Sequence, residues 1–229
     1  MNVSLIPYIV LILMGAAWGL SIPLTKITVS TGYGQFGLIF WQFVIAVIVL
    51  GFMLLVRRKR PIFERKTIFL FIVLALLGTI FPNSASYVAT YYLPASFIAI
   101  LIATVPMFSF PMAMLMGLEK KDFRRISGLF IGLLGIVILT APEASFPDRH
   151  LLIFIPLALL APFFYAIEGN YVDKYGTAGQ DPIQTFTGAS ILGTFMILPV
   201  TISTGQWIDP FQPWPVENYT HVASSCCHA

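Results

Sequence analysis

From Thr67 to Leu118 the chain runs for fifty-two residues without a charged side chain, bounded by Lys66 and Glu119. A single buried helix is far shorter than this. About 20 apolar residues cross a hydrocarbon core, so the stretch holds two membrane spans and a reversal. Tyr91-Tyr92-Leu93-Pro94 places the reversal: Pro94 disfavours helical geometry at Leu93, and paired tyrosines suit a membrane–water boundary. The sequence therefore predicts a helical hairpin with its tip outside.

The rest of the chain has the same character. It is 58% hydrophobic and 10% charged, with a mean hydropathy of +0.87, where soluble domains carry about a quarter charged residues. The charge-free runs predict seven spans: Pro7 to Thr28, Gly37 to Val56, Thr67 to Tyr91, Ala95 to Leu118, Ser127 to Ala141, Leu151 to Val172 and Ile183 to Ser203. The fifth is short and is expected to extend towards Phe123 and Glu143. The fold class is thus an all-α polytopic transmembrane helix bundle. A β-barrel is excluded, because barrel strands alternate over about ten residues. Met1 to Pro7 has no basic residue to start a cleaved signal peptide, so the first helix is read as retained. Cys226 and Cys227 are adjacent, which gives neither a disulfide framework nor a spaced zinc site.

Basic residues set the expected orientation. Arg57, Arg58, Lys59, Arg60, Arg65 and Lys66 follow helix two; Lys120, Lys121, Arg124 and Arg125 follow helix four; Lys174 follows helix six. These alternate loops become cytoplasmic by the positive-inside rule, as does the amino terminus. Only Lys26 and Arg149 fall outside the pattern. The charge has a sufficient reading as topology determinant and lipid contact, and a short interhelical loop offers no nucleic-acid recognition module.

Setting Met14 to Ser21 against Ala161 to Glu168 keeps the apolar run and the aromatic in step, with Trp18 opposite Tyr165 and Gly32 opposite Gly179. A repeat beginning at helix one and again at helix six spans five helices, an odd number, so the second copy inserts upside down. The six-cation loop after helix two contrasts with Thr204 to Tyr219, which holds Asp209 and Glu217 and no base. Inverted repeats of this kind build many secondary transporters.

Gly15-Ala16-Ala17-Trp18-Gly19, Tyr92-Leu93-Pro94-Ala95 followed by Pro106, and Glu119 with Gly128, Gly132 and Gly135 make the chain resemble EamA-type members of the drug/metabolite transporter superfamily. The resemblance implies ten spans in two five-helix repeats. Residues 7–141 would form the first, and 151–229 an incomplete second. The text from Tyr219 to Ala229 reads as the start of an eighth helix cut short, so truncation is expected.

Depth along each helix then selects a candidate substrate path at the level where secondary transporters bind solute. Trp18, Thr79 and Thr104 lie roughly 14–18 Å into their helices, Tyr165 roughly 21 Å and Ser190 roughly 10 Å. Ser21 joins them, as do Asn83 and Tyr87, which share a helix face with Thr79. Each hydroxyl has an alternative as a bond to its own backbone, and Asn83 with Tyr87 as an interhelical hydrogen bond. Glu168 is the candidate coupling carboxylate, with simple access to interfacial water as its alternative. Lys26 is expected to snorkel outward or to face an anionic solute. Gly15 with Gly19, and Gly128 with Gly132 and Gly135, have the spacing of close helix packing, within a repeat or between two protomers of a homodimer.

An intramembrane enzyme would need a Ser–His pair, paired aspartates or a His-Glu-x-x-His zinc site, and the spans hold none. No catalytic residue, cofactor or metal is expected. The expected partners are a small solute, the bilayer of the cell membrane and no nucleic acid. The competing expectation is a non-transporting scaffold or an inactive fragment.

Overall fold

The computed structural model describes residues 5–120, 122–140 and 153–211. Lys121, Glu143, Arg149, the residues after 211 and both cysteines, on which several expectations rest, lie outside these. The described residues fold as helices: α1 (Ile6–Ser30), α2 (Gln35–Val56), α3 (Arg65–Ala75), a π-helical turn (Leu76–Ile80), α4 (Phe81–Tyr92), α5 (Ala95–Ile102), α6 (Val105–Leu115), α7 (Phe123–Thr140), α8 (Ile155–Tyr175) and α9 (Pro182–Ser203). Joined end to end, α3 through α4 form one rod and α5 with α6 another, making seven rods. Six are long and apolar enough to cross a membrane, and α7 is the seventh. A helix meets all its backbone hydrogen bonds internally, which the bilayer interior demands.

The boundaries have local causes. Leu93 is extended at φ −95° and ψ 149°, ending α4 one residue before Pro94. Rod four ends at Leu115 and not Leu118, because Gly117 turns left-handed at φ +75° and the Leu118 N–H reaches back to the Ala113 carbonyl. The fifth rod starts at Phe123, the extension expected of its short apolar run. Rod four also breaks at Ala103-Thr104. Pro106 has no N–H to offer the Ile102 carbonyl and its ring crowds that oxygen.

Halves of the chain meet through α2, α3, α4, α8 and α9. Ile39, Phe40 and Phe43 of α2 pack with Ile197 of α9, and Leu70, Phe71 and Leu74 of α3 pack with Ala189. Two glycines of α9 permit this approach: a Cβ at Gly193 would stand 2.5 Å from Phe43 Cζ, and one at Gly188 would overlap the Phe71 ring. The glycines expected to pack meet no partner among the described residues of this chain, so of the two expected roles only packing between protomers is left to them. Gly15, Gly19, Gly128, Gly132 and Gly135 have no neighbour near a built Cβ, since α1 and α7 turn those faces away from the described bundle. The most apolar stretch of α1 has no buried residue.

The spacing seen in sequence recurs in the backbone. Pro182 follows Gln35 by 147 residues (182 − 35), and Ser203 follows Val56 by 147 (203 − 56), so α2 and α9 start and stop in register. The preceding turns also match: Gly32 and Gly179 are both left-handed, at φ +88° and +79°.

Candidate functional site

At the centre, α1, α2, the α3–α4 rod, α5, α8 and α9 surround a cavity of about 610 Å³. It lies within the size range of small-molecule sites. Its wall mixes aliphatic side chains with aromatic and hydroxyl-bearing ones, and the Glu168 carboxylate is among them.

Trp18 and Tyr165, 147 residues apart, meet edge to face with ring centroids 6.3 Å apart. The Tyr165 hydroxyl donates to Asn83 Oδ1 at 3.0 Å. Asn83 Nδ2 in turn donates to Gln42 Oε1 at 2.8 Å, and the Tyr87 hydroxyl donates to the same oxygen at 3.2 Å. Asn83 and Tyr87 therefore make the interhelical bonds and also line the cavity. Gln42 was missed in the sequence. Its signal is an amide in a run of 22 helical residues that is otherwise apolar apart from the terminal Gln35.

Thr79, Ser21 and Ser190 also line the cavity, with the Ser21 hydroxyl donating to the Trp18 carbonyl at 2.6 Å. Thr104 does not line it. Its hydroxyl donates to Leu101 O at 2.6 Å within the helix break, the own-backbone alternative expected of a helix hydroxyl.

Glu168 lies one turn beyond Tyr165 on α8 and faces the π-helical turn, where a Cβ at Gly78 would stand 2.8 Å from its Oε1. A π-turn carries one more residue than an α-turn and recurs at functional sites. Here it presents both Gly78 and Thr79 to the cavity. Among the described residues, Glu168 has no hydrogen-bond or ion-pair partner, so its oxygens are available to the contents of the cavity.

Lys26 does not line the cavity but reaches along α1 to the hairpin tip. Its ammonium donates to the carbonyls of Thr90 (2.7 Å), Tyr91 (3.0 Å) and Leu93 (3.0 Å). These are orphan acceptors at the end of α4, and a lysine there completes the helix terminus. A second cavity, of about 560 Å³, opens between α6, α7 and α8 near the Glu119–Arg125 ion pair.

A family model for EamA-like transporters matches residues 5–141, more than half the chain and the whole of α1 to α7. This chain belongs to the EamA-like transporter family. No curated protein and no solved structure matches it. EamA-like proteins are membrane transporters and not enzymes, and six spanning helices make this member a multi-pass membrane protein. The family match ends at 141. Beyond it, helices, turns and cavity aromatics of the second half recur at a spacing of 147 residues from those of the first.

Proposed function

We propose that the protein is a secondary transporter of a small solute in the cell membrane, with its amino terminus cytoplasmic. Residues 7–141 and 151–229 act as inverted repeats that expose the central cavity alternately to each side. Solute binds among Trp18, Ser21, Thr79, Asn83, Tyr87, Tyr165 and Ser190. Glu168 carries the coupling proton. The observation supporting this reading is the cavity itself, whose polar and aromatic wall is drawn from both halves around one carboxylate without a protein partner among the described residues. An intramembrane carboxylate is costly and is kept for an ion or substrate path.

The test is reconstitution in proteoliposomes with a pH gradient, followed by a screen of small metabolites for flux that dissipates it. Glu168→Gln is expected to abolish gradient-driven flux; gradient-driven flux equal to wild type in that variant removes the coupling role.

One observation favours a second reading, an incomplete bundle that carries no flux. The α8 residues buried against α4 and α6 include Ala161, Pro162 and Ala166, and their partners by the 147-residue spacing, Met14, Gly15 and Gly19, are exposed on α1. A stable, monodisperse protein that moves no solute in the same liposomes supports it.

A further inference from the structure

We infer that the central cavity takes an organic monocation carrying an aromatic or otherwise flat apolar body. The inference rests on the reading of this cavity as the solute site and adds the class of solute.

The charge in the wall has one sign. Glu168 lines the cavity, and among the described residues no lysine, arginine or histidine does. Lys26, on the same helix as Trp18 and Ser21, donates its ammonium to three carbonyls at the end of α4. An anion brought here leaves water to face a like charge in a low-dielectric space, which costs several kcal/mol at close range. A zwitterion gains at Glu168 but leaves its own carboxylate without a cationic partner. A cation both satisfies Glu168 and loses its own desolvation cost to it, the condition under which a buried charge is tolerated.

The number of charges follows from the two halves. Ser21 stands at the position in α1 that Glu168 holds in α8, 147 residues on (168 − 21), and both line the cavity. One carboxylate, and not a pair, therefore meets the solute, which fits a single positive charge.

The body follows from what surrounds that carboxylate. Tyr165 lies one turn away on the same face of α8, and its ring meets Trp18 edge to face. A cation held at Glu168 lays its remaining surface against these rings, whose π faces attract cations and whose area favours flat apolar groups. Gln42 and Asn83 are bonded to each other and to the tyrosines, so they fix the rings and do not demand a polar solute.

The test is calorimetric titration of the purified full-length protein in lipid nanodiscs with benzyltrimethylammonium, and with phenylacetate and phenylalanine as anionic and zwitterionic comparisons. Benzyltrimethylammonium is expected to bind, with phenylacetate and phenylalanine weaker by at least about tenfold. Glu168→Gln should weaken the cation by at least about tenfold, while Glu168→Asp, which keeps the charge, retains most of the affinity and shows that loss in the glutamine variant is not misfolding. Trp18→Leu should weaken the cation less than Glu168→Gln does. The inference is overturned if no probe binds, if phenylacetate or phenylalanine matches the cation, or if Glu168→Gln leaves cation affinity unchanged. Failure of transport is a separate result: a protein that binds the cation through Glu168 but moves nothing in liposomes loses the transport reading and keeps the ligand class.

Discussion

Gly78 is where the residue scale shows how little room the site leaves. A methyl there would come within 2.9 Å of Glu168 Cδ as well as 2.8 Å of Oε1, but the atoms it displaces belong to the end of a flexible side chain. Gly78→Ala should therefore leave thermal stability in detergent near wild type and push the carboxylate off the wall, lowering benzyltrimethylammonium affinity severalfold; unchanged binding would mean Glu168 does not act from this position. Gln42 fails in the opposite way. Gln42→Leu removes the acceptor shared by Asn83 and Tyr87, and such bonds inside membranes average about 0.6 kcal/mol each, so a loss of about 1 kcal/mol is expected in thermal unfolding. Trp18 and Tyr165 are legible in the sequence through their matching repeat positions, and Asn83 through the helix face it shares with Thr79 and Tyr87. Thr104 is misplaced by its depth because rise along a helix fixes height and leaves the direction around the axis open. Gln42 escaped because an amide within the first three turns of a span passes for an interfacial residue.

Elements were legible to the extent that their cause is local. Charge-free runs fix the spans, Pro94 fixes the hairpin tip, and Pro106 fixes the break between α5 and α6, all within a few residues of the chain. Which helix faces which was not legible from spacing of small residues alone, because a glycine is informative only with its partner. Gly15 and Gly193 have the same side chain and opposite surroundings: open space at one, and the buried Phe43 ring at the other. Their alanine variants should separate accordingly. At Gly193 the added methyl gains about 1 kcal/mol of helix propensity but overpacks a ring that is 4% exposed, a cost of about 1–3 kcal/mol, so the balance is destabilising. At Gly15 only the propensity gain remains. Thermal unfolding in one detergent is expected to lower the midpoint for Gly193→Ala and to hold or raise it for Gly15→Ala, and equal shifts would contradict the α2–α9 packing.

For the whole molecule the decisive arrangement is how the loops sort to two ends. At one end the Gln206 side-chain oxygen accepts from the Phe36 N–H, Trp41 Nε1 donates to the Ile208 carbonyl, and Lys26 holds the tip of the α4–α5 hairpin. At the other, Lys59 pairs with Asp181 at 2.8 Å, Gln184 donates to the Arg60 carbonyl, and Lys174 donates to the Met116 carbonyl. The Lys59 bond, helped by the Gln184 N–H, holds the Asp181 carboxyl below the ordinary aspartate range. A depressed folded value means the clip contributes above the unfolded value, about 3.9, and is lost as pH falls through the folded one. Amide exchange across Gln180–Gln184 should accelerate over that acid range beyond the intrinsic rate change, and Asp181→Asn should remove the effect. The same end gathers Arg57, Arg58, Lys59, Arg60, Arg65, Lys66, Lys120, Arg124, Arg125 and Lys174, whereas the hairpin end holds Lys26 alone among the described lysines and arginines. The proposed orientation, with basic loops on the cytoplasmic side, puts the hairpin end outside and the start of α1 inside. With Cys226 and Cys227 replaced by serine, Ser96→Cys and Gly205→Cys should react with a membrane-impermeant maleimide on intact cells. Arg60→Cys and Lys120→Cys should react only after permeabilisation. The reverse pattern would turn the molecule over, and labelling of all four on intact cells would mean that the end joined by Lys59 and Asp181 is not sealed from the hairpin end by the bilayer.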